Sequence, residues 1–307
     1  MAHMGDVLVG NHSTWEFDTD SVLIRFERGI RTPKLFHVLG ERRVPYEALS
    51  EVDLAPGGKR GTVVLRIVPR AGADPLMEVA DGQLKEGNDP YRLVLPAERE
   101  TLADYYATEL RSALGPEAAK PAERHLVAAP APPLSFKAYD GKASFDGSAV
   151  SFRWFWTGAS SAKWKAGDQT FAVGDLEDVD WRSPEIAGGH LRLLRRDTES
   201  QPGEPDKDPA SVVFGLGYGL VYESLPFAAS VLEAVRAAGA PGGAPPSPAA
   251  SPVTSAVAAP ATETARSVRA DPADIAERIR HLGELHEAGL LTNDEFSEKK
   301  AELLAEL

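Results

Sequence analysis

Apolar residues recur at every second position in short runs along most of this chain, and the period then lengthens, once near residue 100 and again near residue 225. Val63, Leu65 and Ile67 in the first half, and Phe152, Trp154 and Trp156 in the second, carry the two-residue period of half-buried strands. After the last strand of each half, at 91–95 or 212–222, the spacing turns helical. Leu102, Tyr105, Tyr106, Leu110 and Leu114 form one such stripe, and Leu225, Ala229, Leu232 and Val235 the other. The pairs Asp81-Gly82, Asp140-Gly141 and Asp146-Gly147 predict hairpin turns, because Asp-Gly readily takes the positive φ angles of tight turns.

The two halves share more than period. Ser21-Val22-Leu23-Ile24-Arg25-Phe26 aligns with Ala149-Val150-Ser151-Phe152-Arg153-Trp154, and the Phe-Asp pairs 17–18 and 145–146 precede them. Residues 44–54 align with 171–181 without a gap, and 61–67 parallel 189–194. This is a duplication. The predicted fold is mostly β with some α: two tandem domains, 6–115 and 134–238, each a set of strands closed by a C-terminal helix. That order fits a pleckstrin-homology-like barrel or sandwich, by analogy. An Ala/Pro-rich linker, 116–133, joins them, and a longer Pro/Ala linker, 239–270, predicted to be disordered, follows. Residues 197–208 read as a solvated acidic insertion.

A third pattern occupies 271–307. Asp271-Pro272 starts a helix, Ile275, Ile279, Leu282 and Leu285 line one face, and Gly289 ends it. Thr292-Asn293-Asp294-Glu295 has capping-box form and opens a second helix; Leu290, Phe296, Leu303 and Leu304 complete the apolar set. Ordering a residue costs about 1–2 kcal/mol, and a hairpin this small buries too little to offset that unless another surface covers it. The covering surface is either another chain or this one. The stretches 287–292, 293–296 and 299–304 resemble the SHOCT family, a short C-terminal domain of bacterial proteins. The resemblance implies an oligomerisation module without chemistry of its own.

The duplicated unit resembles the actinobacterial family called domain of unknown function 4429, which occurs in tandem and often precedes a SHOCT segment. Trp15-Glu16-Phe17-Asp18, Ile24-Arg25-Phe26 and Leu49-Ser50-Glu51-Val52 carry the likeness. Copy two departs from it with Phe171-Ala172-Val173 where copy one has Val44-Pro45-Tyr46. The family implies an architecture and no activity.

Composition narrows the function classes. The 307 residues include no cysteine, which excludes disulfide frameworks, thiolate metal sites and thiol catalysis and fits a cytoplasmic setting. A formal net charge of −13 argues against nucleic-acid binding, which needs a clustered basic face. No apolar run approaches the roughly 18–20 residues of a membrane span, and residues 1–10 lack the makings of an export signal. The opening Met-Ala-His-Met reads either as a cloning remnant or as a native start.

Catalytic motifs fail in turn. There is no Gly-x-Ser-x-Gly elbow, phosphate-loop spacing or His-Glu-x-x-His helix, and the seven histidines are scattered, so no catalytic residue, metal or cofactor is expected. The glycines of 215–219 mark a bend or bulge. Two groups remain as binding candidates. Arg25, Arg28, Arg31, Lys34, Arg42 and Arg43 form a basic string that is either a solvated face or a site for an anionic lipid or phosphate ligand. Phe155, Trp156 and Trp164 belong to an aromatic cluster of copy two that is either enlarged core or an interface. The expected function is a non-enzymatic cytoplasmic scaffold or adaptor that associates with itself or another protein. The alternative is a peripheral membrane or anionic-ligand sensor.

Overall fold

The structure is a computed structural model, and it describes residues 6–196 and 203–239, with Ser297 alone beyond them. The predicted hairpin, with Ile275, Ile279, Leu282, Leu285, Leu290, Phe296, Leu303 and Leu304, lies outside the described residues, as do most of the long linker and the 197–202 part of the acidic insertion.

Each repeat begins as an antiparallel meander. In the first, β1 (Asp6–Val9), β2 (Ser13–Phe17), β3 (Ser21–Phe26) and β4 (Glu41–Pro45) form a four-stranded sheet, with helix α1 (Lys34–Leu39) between β3 and β4. A three-stranded sheet of β5 (Leu49–Pro56), β6 (Thr62–Pro69) and β7 (Arg92–Pro96) follows. Helix α2 (Pro75–Ala80) lies between β6 and β7, and α3 (Glu100–Ala113) comes last. The second repeat has the same strand order, with a helix in the place of α1: β8 (Leu134–Lys137), β9 (Gly141–Phe145), β10 (Ala149–Trp154), α4 (Ser161–Ala166) and β11 (Gln169–Ala172). Then come β12 (Leu176–Arg182), β13 (His190–Arg195), β14 (Ser211–Val213) and α5 (Val221–Gly239).

The aligned blocks occupy matching strands, β3 with β10, β5 with β12 and β6 with β13. Alternation places the core: Ala143 and Phe145 of β9 and Val150, Phe152 and Trp154 of β10 are buried, while the residues between them are half-buried. Trp154 ends its strand, so Trp156 does not continue the inward set; it and Phe155 lie in the following turn. Two of the three Asp-Gly pairs join hairpins. The third, Asp81-Gly82, instead ends α2, with Asp81 at φ 41° and Gly82 at φ 72° in the left-handed region.

The two terminal helices differ, and the difference organises the molecule. In α3 only Ala103, Tyr106, Ala107 and Leu110 are buried, one stripe laid on β5 and β6, with Tyr106 stacked on Phe17 at 4.2 Å between ring centroids. Leu102 and Tyr105 of the predicted stripe are exposed, because Ala103, Tyr106, Ala107 and Leu110 fill the i, i+3, i+4, i+7 face turned to the sheet. In α5 every residue from Ser224 to Leu232 is buried. One side covers the second repeat through β8 and β12, and the other packs on α1 and α2 of the first. The two repeats therefore share a continuous apolar core.

The Ala/Pro-rich segment reinforces this junction. Arg70 donates from Nε to the Lys120 carbonyl (2.8 Å) and from Nη2 to that of Pro121 (3.1 Å), and the Ala122 amide donates to Ala71. Further along, the Leu126 and Val127 amides both donate to the Ala73 carbonyl, and the Ala129 amide donates to Glu233 Oε1 on α5 at 3.1 Å. The segment starts on one repeat and finishes on the other.

Candidate functional site

The junction leaves an open cleft of about 550 Å³ lined by both repeats. The first repeat contributes Lys34 and Leu35 from the start of α1, and Asn88 from the turn before β7. The second contributes the β12–β13 loop around Ile186, the glycine-rich loop after β14, and Tyr222 from the first turn of α5. Its walls are largely apolar, and Leu216, at the tip of the glycine loop, is fully exposed.

Local sequence explains these loops. Gly217 (φ 82°) and Gly219 (φ 65°) turn the chain through left-handed conformations that other residues avoid, and the Tyr218 amide donates back to the Gly215 carbonyl at 3.0 Å. This is the bend read from the glycines of 215–219. Across the cleft a Cβ on Gly189 would stand 2.7 Å from the Ser183 carbonyl oxygen, so only glycine lets the loop close there.

Polar links pin the rim. Gln83 donates to the Trp181 carbonyl (3.2 Å) and accepts from the Ser183 amide (2.8 Å), and Lys85 pairs with Glu185 at 3.0 Å. Lys34 Nζ lies 3.5 Å from the Tyr222 hydroxyl and 5.0 Å from the centre of its ring.

The basic string does not survive as a string. Strand alternation sends Arg25 and Arg43 outward and Arg42 inward. Arg25 pairs with Glu16 and with Glu41 (3.6 Å), and Arg43 pairs with Asp18 (2.7 Å) and donates to Ser21 Oγ (2.9 Å). Arg42 is a correction to the anion-site reading. It is buried, with Nη2 2.7 Å from Asp74 and Nε 3.1 Å from the Tyr91 hydroxyl, and Tyr91 also donates to Asp74. Burial opposes the Arg42 charge, but Asp74 and Tyr91 outweigh it and hold its pKa above the ordinary value; burial also pushes Tyr91 well up. Asp74 in turn caps α2 by accepting from the Leu76 amide at 2.9 Å, so this cluster fixes the helix that meets α5. Arg28 and Arg31 are exposed in the β3–α1 connection. Of the six, Lys34 alone lines the cleft.

Of the aromatic candidates, Phe155 and Trp156 are half-buried and Trp164 is exposed on α4. The inter-repeat packing runs chiefly through α1, α2, α5 and β12 instead. Sequence reasoning also missed a buried pair in the second repeat. Lys163 Nζ donates to Asp140 Oδ2 at 2.5 Å and to the Ser211 carbonyl at 2.8 Å, and it sits 4.9 Å from the centre of the Trp154 ring. Burial lowers the lysine pKa and raises that of the aspartate, each opposed by the partner's charge. Nothing in the local pattern marks Lys163 as interior, since it lies between Ala162 and Trp164 on a short polar helix.

These perturbed groups lie inside the repeats, whereas the cleft has largely apolar walls with Lys34 and Glu185 among its lining residues. Among the described residues, no three His, Asp or Glu side chains gather as a metal-holding group, and no helix is long and apolar enough to cross a membrane.

Comparison with known families agrees with the duplication. Residues 15–111 and 143–232 each match the family described as Domain of unknown function (DUF4429). The chain belongs to the DUF4429 family. Its two DUF4429 segments correspond to the two repeats, and residues 277–304 match a second family, Short C-terminal domain (SHOCT). No curated protein matches the chain. The cleft is lined from both DUF4429 segments by Lys34 and Tyr222, and by loop residues such as Ile186 between flanking strands of the second. The one signal for it in the sequence was the glycine spacing at 215–219, which by itself reports only a bend.

Proposed function

We propose that this protein is a non-enzymatic cytoplasmic scaffold or adaptor. In this reading two pleckstrin-homology-like DUF4429 repeats act as one rigid binding body, and the SHOCT segment, folded as a helical hairpin, brings several such bodies together. The observation that carries it is the all-round burial of α5, which leaves the repeats no freedom to work as independent beads. The order of four strands, three strands and a helix in each repeat supports the fold analogy. The match at 277–304 supports the assembly role. Each added chain would bring another copy of the same cleft, so weak contacts gain by multivalency.

Light scattering on the full chain and on a version ending at Pro245 tests this. A larger assembly for the full chain and a monomer for the short one are expected; two identical monomers would remove the assembly role.

The second reading, an anionic-ligand sensor, is narrowed by the geometry. Arg25 and Arg43 already hold carboxylates and Arg42 is interior, whereas Lys34 opens on the cleft.

A further inference from the structure

The charges at the inter-repeat cleft do not balance. Glu185 on the rim is held by Lys85 at 3.0 Å, but Lys34 has no carboxylate partner among the described residues. Its ammonium group rests near the Tyr222 ring and hydroxyl, which leaves donor capacity on a group that has three N–H bonds. Among the charged residues that line the cleft, Lys34 is the cation without a carboxylate partner among the described residues, and it stands beside an apolar wall. The wall next to it is built from Ile186, Leu216 and Leu220, and Ile186 and Leu216 expose apolar surface to solvent.

We propose that this cleft binds a carboxylate carrying an apolar chain. Lys34 pairs with the carboxylate, and Ile186, Leu216 and Leu220 cover the chain. This rests on the anion reading above but not on assembly, and it moves the anion from a basic surface to the seam between the repeats.

Size and shape favour a free amphiphile. A volume of about 550 Å³ falls within the roughly 300–1,000 Å³ of small-molecule sites. A bilayer surface, being broad, does not enter a cleft walled by loops of both repeats. Specificity follows from the single cation: the anion confers orientation through a charge-assisted hydrogen bond, and the chain adds affinity by leaving water.

The test is calorimetric titration of the full chain with decanoate below its micelle concentration. Acetate serves as the anion without a chain, decyltrimethylammonium as the chain with the opposite charge, and phosphatidylglycerol vesicles as the membrane source. Saturable binding of decanoate alone is expected, weakened about tenfold or more by Lys34→Glu and by Leu216→Asp, as loss of a charge-assisted contact or reversal of an apolar one implies. Lys165→Glu, at an exposed position of α4 away from the cleft lining, is expected to change nothing. Chemical shifts of the wild-type amides provide a second measure, with the decanoate-induced changes centred on Leu216 and Tyr222. Absence of decanoate binding overturns the proposal, as does equal binding of the cationic amphiphile. Binding that survives Lys34→Glu would leave an anion site elsewhere on the chain and overturn this one, and Lys34-dependent binding to vesicles would assign the lysine to a membrane surface instead.

Discussion

Glu78 on α2 of the first repeat accepts a hydrogen bond from Arg236 on α5 of the second at 2.9 Å. His125, from the segment that straps the repeats together, reaches the other oxygen of the same carboxylate at 3.0 Å. One side chain thus joins the first repeat, the second and the connection between them. The His125 hydrogen bond first, and the Arg236 charge with it, hold the Glu78 pKa below its ordinary value against the opposing effect of burial.

A depressed carboxylate pKa stabilises the fold above the unfolded-state value and ceases to do so as pH falls through the folded-state value. Because Arg236 is about half exposed, the effect is screened, and about 0.2–1 kcal/mol is expected at neutral pH. Denaturant unfolding of the wild type and Glu78→Gln should therefore differ at pH 7 and converge below the carboxylate range. A difference that persists unchanged in acid would show that the Glu78 charge contributes nothing to the junction.

The buried Lys163–Asp140 pair predicts a non-additive result. Lys163→Met strands a carboxylate in the interior and should cost about 3–5 kcal/mol. Adding Asp140→Asn removes the charge and keeps an oxygen that can accept the Val213 amide hydrogen bond, now made at 2.9 Å, so the double variant should recover much of the loss. Urea midpoints of the two single variants and the double variant measure the coupling; additive losses would mean that the pair is energetically inert.

Arg42 and Arg28 both belong to the basic string of the sequence, but their variants should behave in opposite ways. Arg42→Met leaves Asp74 charged and buried, at a cost of about 3–5 kcal/mol, and loosens the cap of α2. Arg28→Glu, at an exposed position, should stay within about 0.5 kcal/mol of wild type. Thermal melts of the two variants check this, and equal melting temperatures would return Arg42 to the surface.

Duplication, the strand-rich body and the helix that ends each repeat were legible, because β-alternation and helical spacing are local properties of the chain. What the periodicity hid was the second face of α5. The spacing marks Leu225, Ala229, Leu232 and Val235 as its apolar stripe, yet Ala228 and Val231 between them are buried just as fully. A run without polar residues from Leu225 to Ala229 is the mark of a helix covered on both sides, and it distinguishes α5 from α3. The cleft was not legible. Its walls come from loops far apart in sequence, and only the packing of α5 on α1 and α2 brings Lys34 beside Tyr222. Charge proximity misled for the same reason: of six cations close in sequence, strand alternation and the carboxylates of Glu16, Glu41, Asp18 and Asp74 separate Arg25, Arg42 and Arg43 from the rest.

Native-state hydrogen exchange on the chain ending at Pro245 tests most directly whether the repeats form one body. The slowest amides of β3 and of β10 should share a single opening free energy with the same dependence on urea, and Val231→Asp on α5 should lower both together. Loss of protection in β10 with β3 unaffected would contradict the account, showing two domains that merely touch.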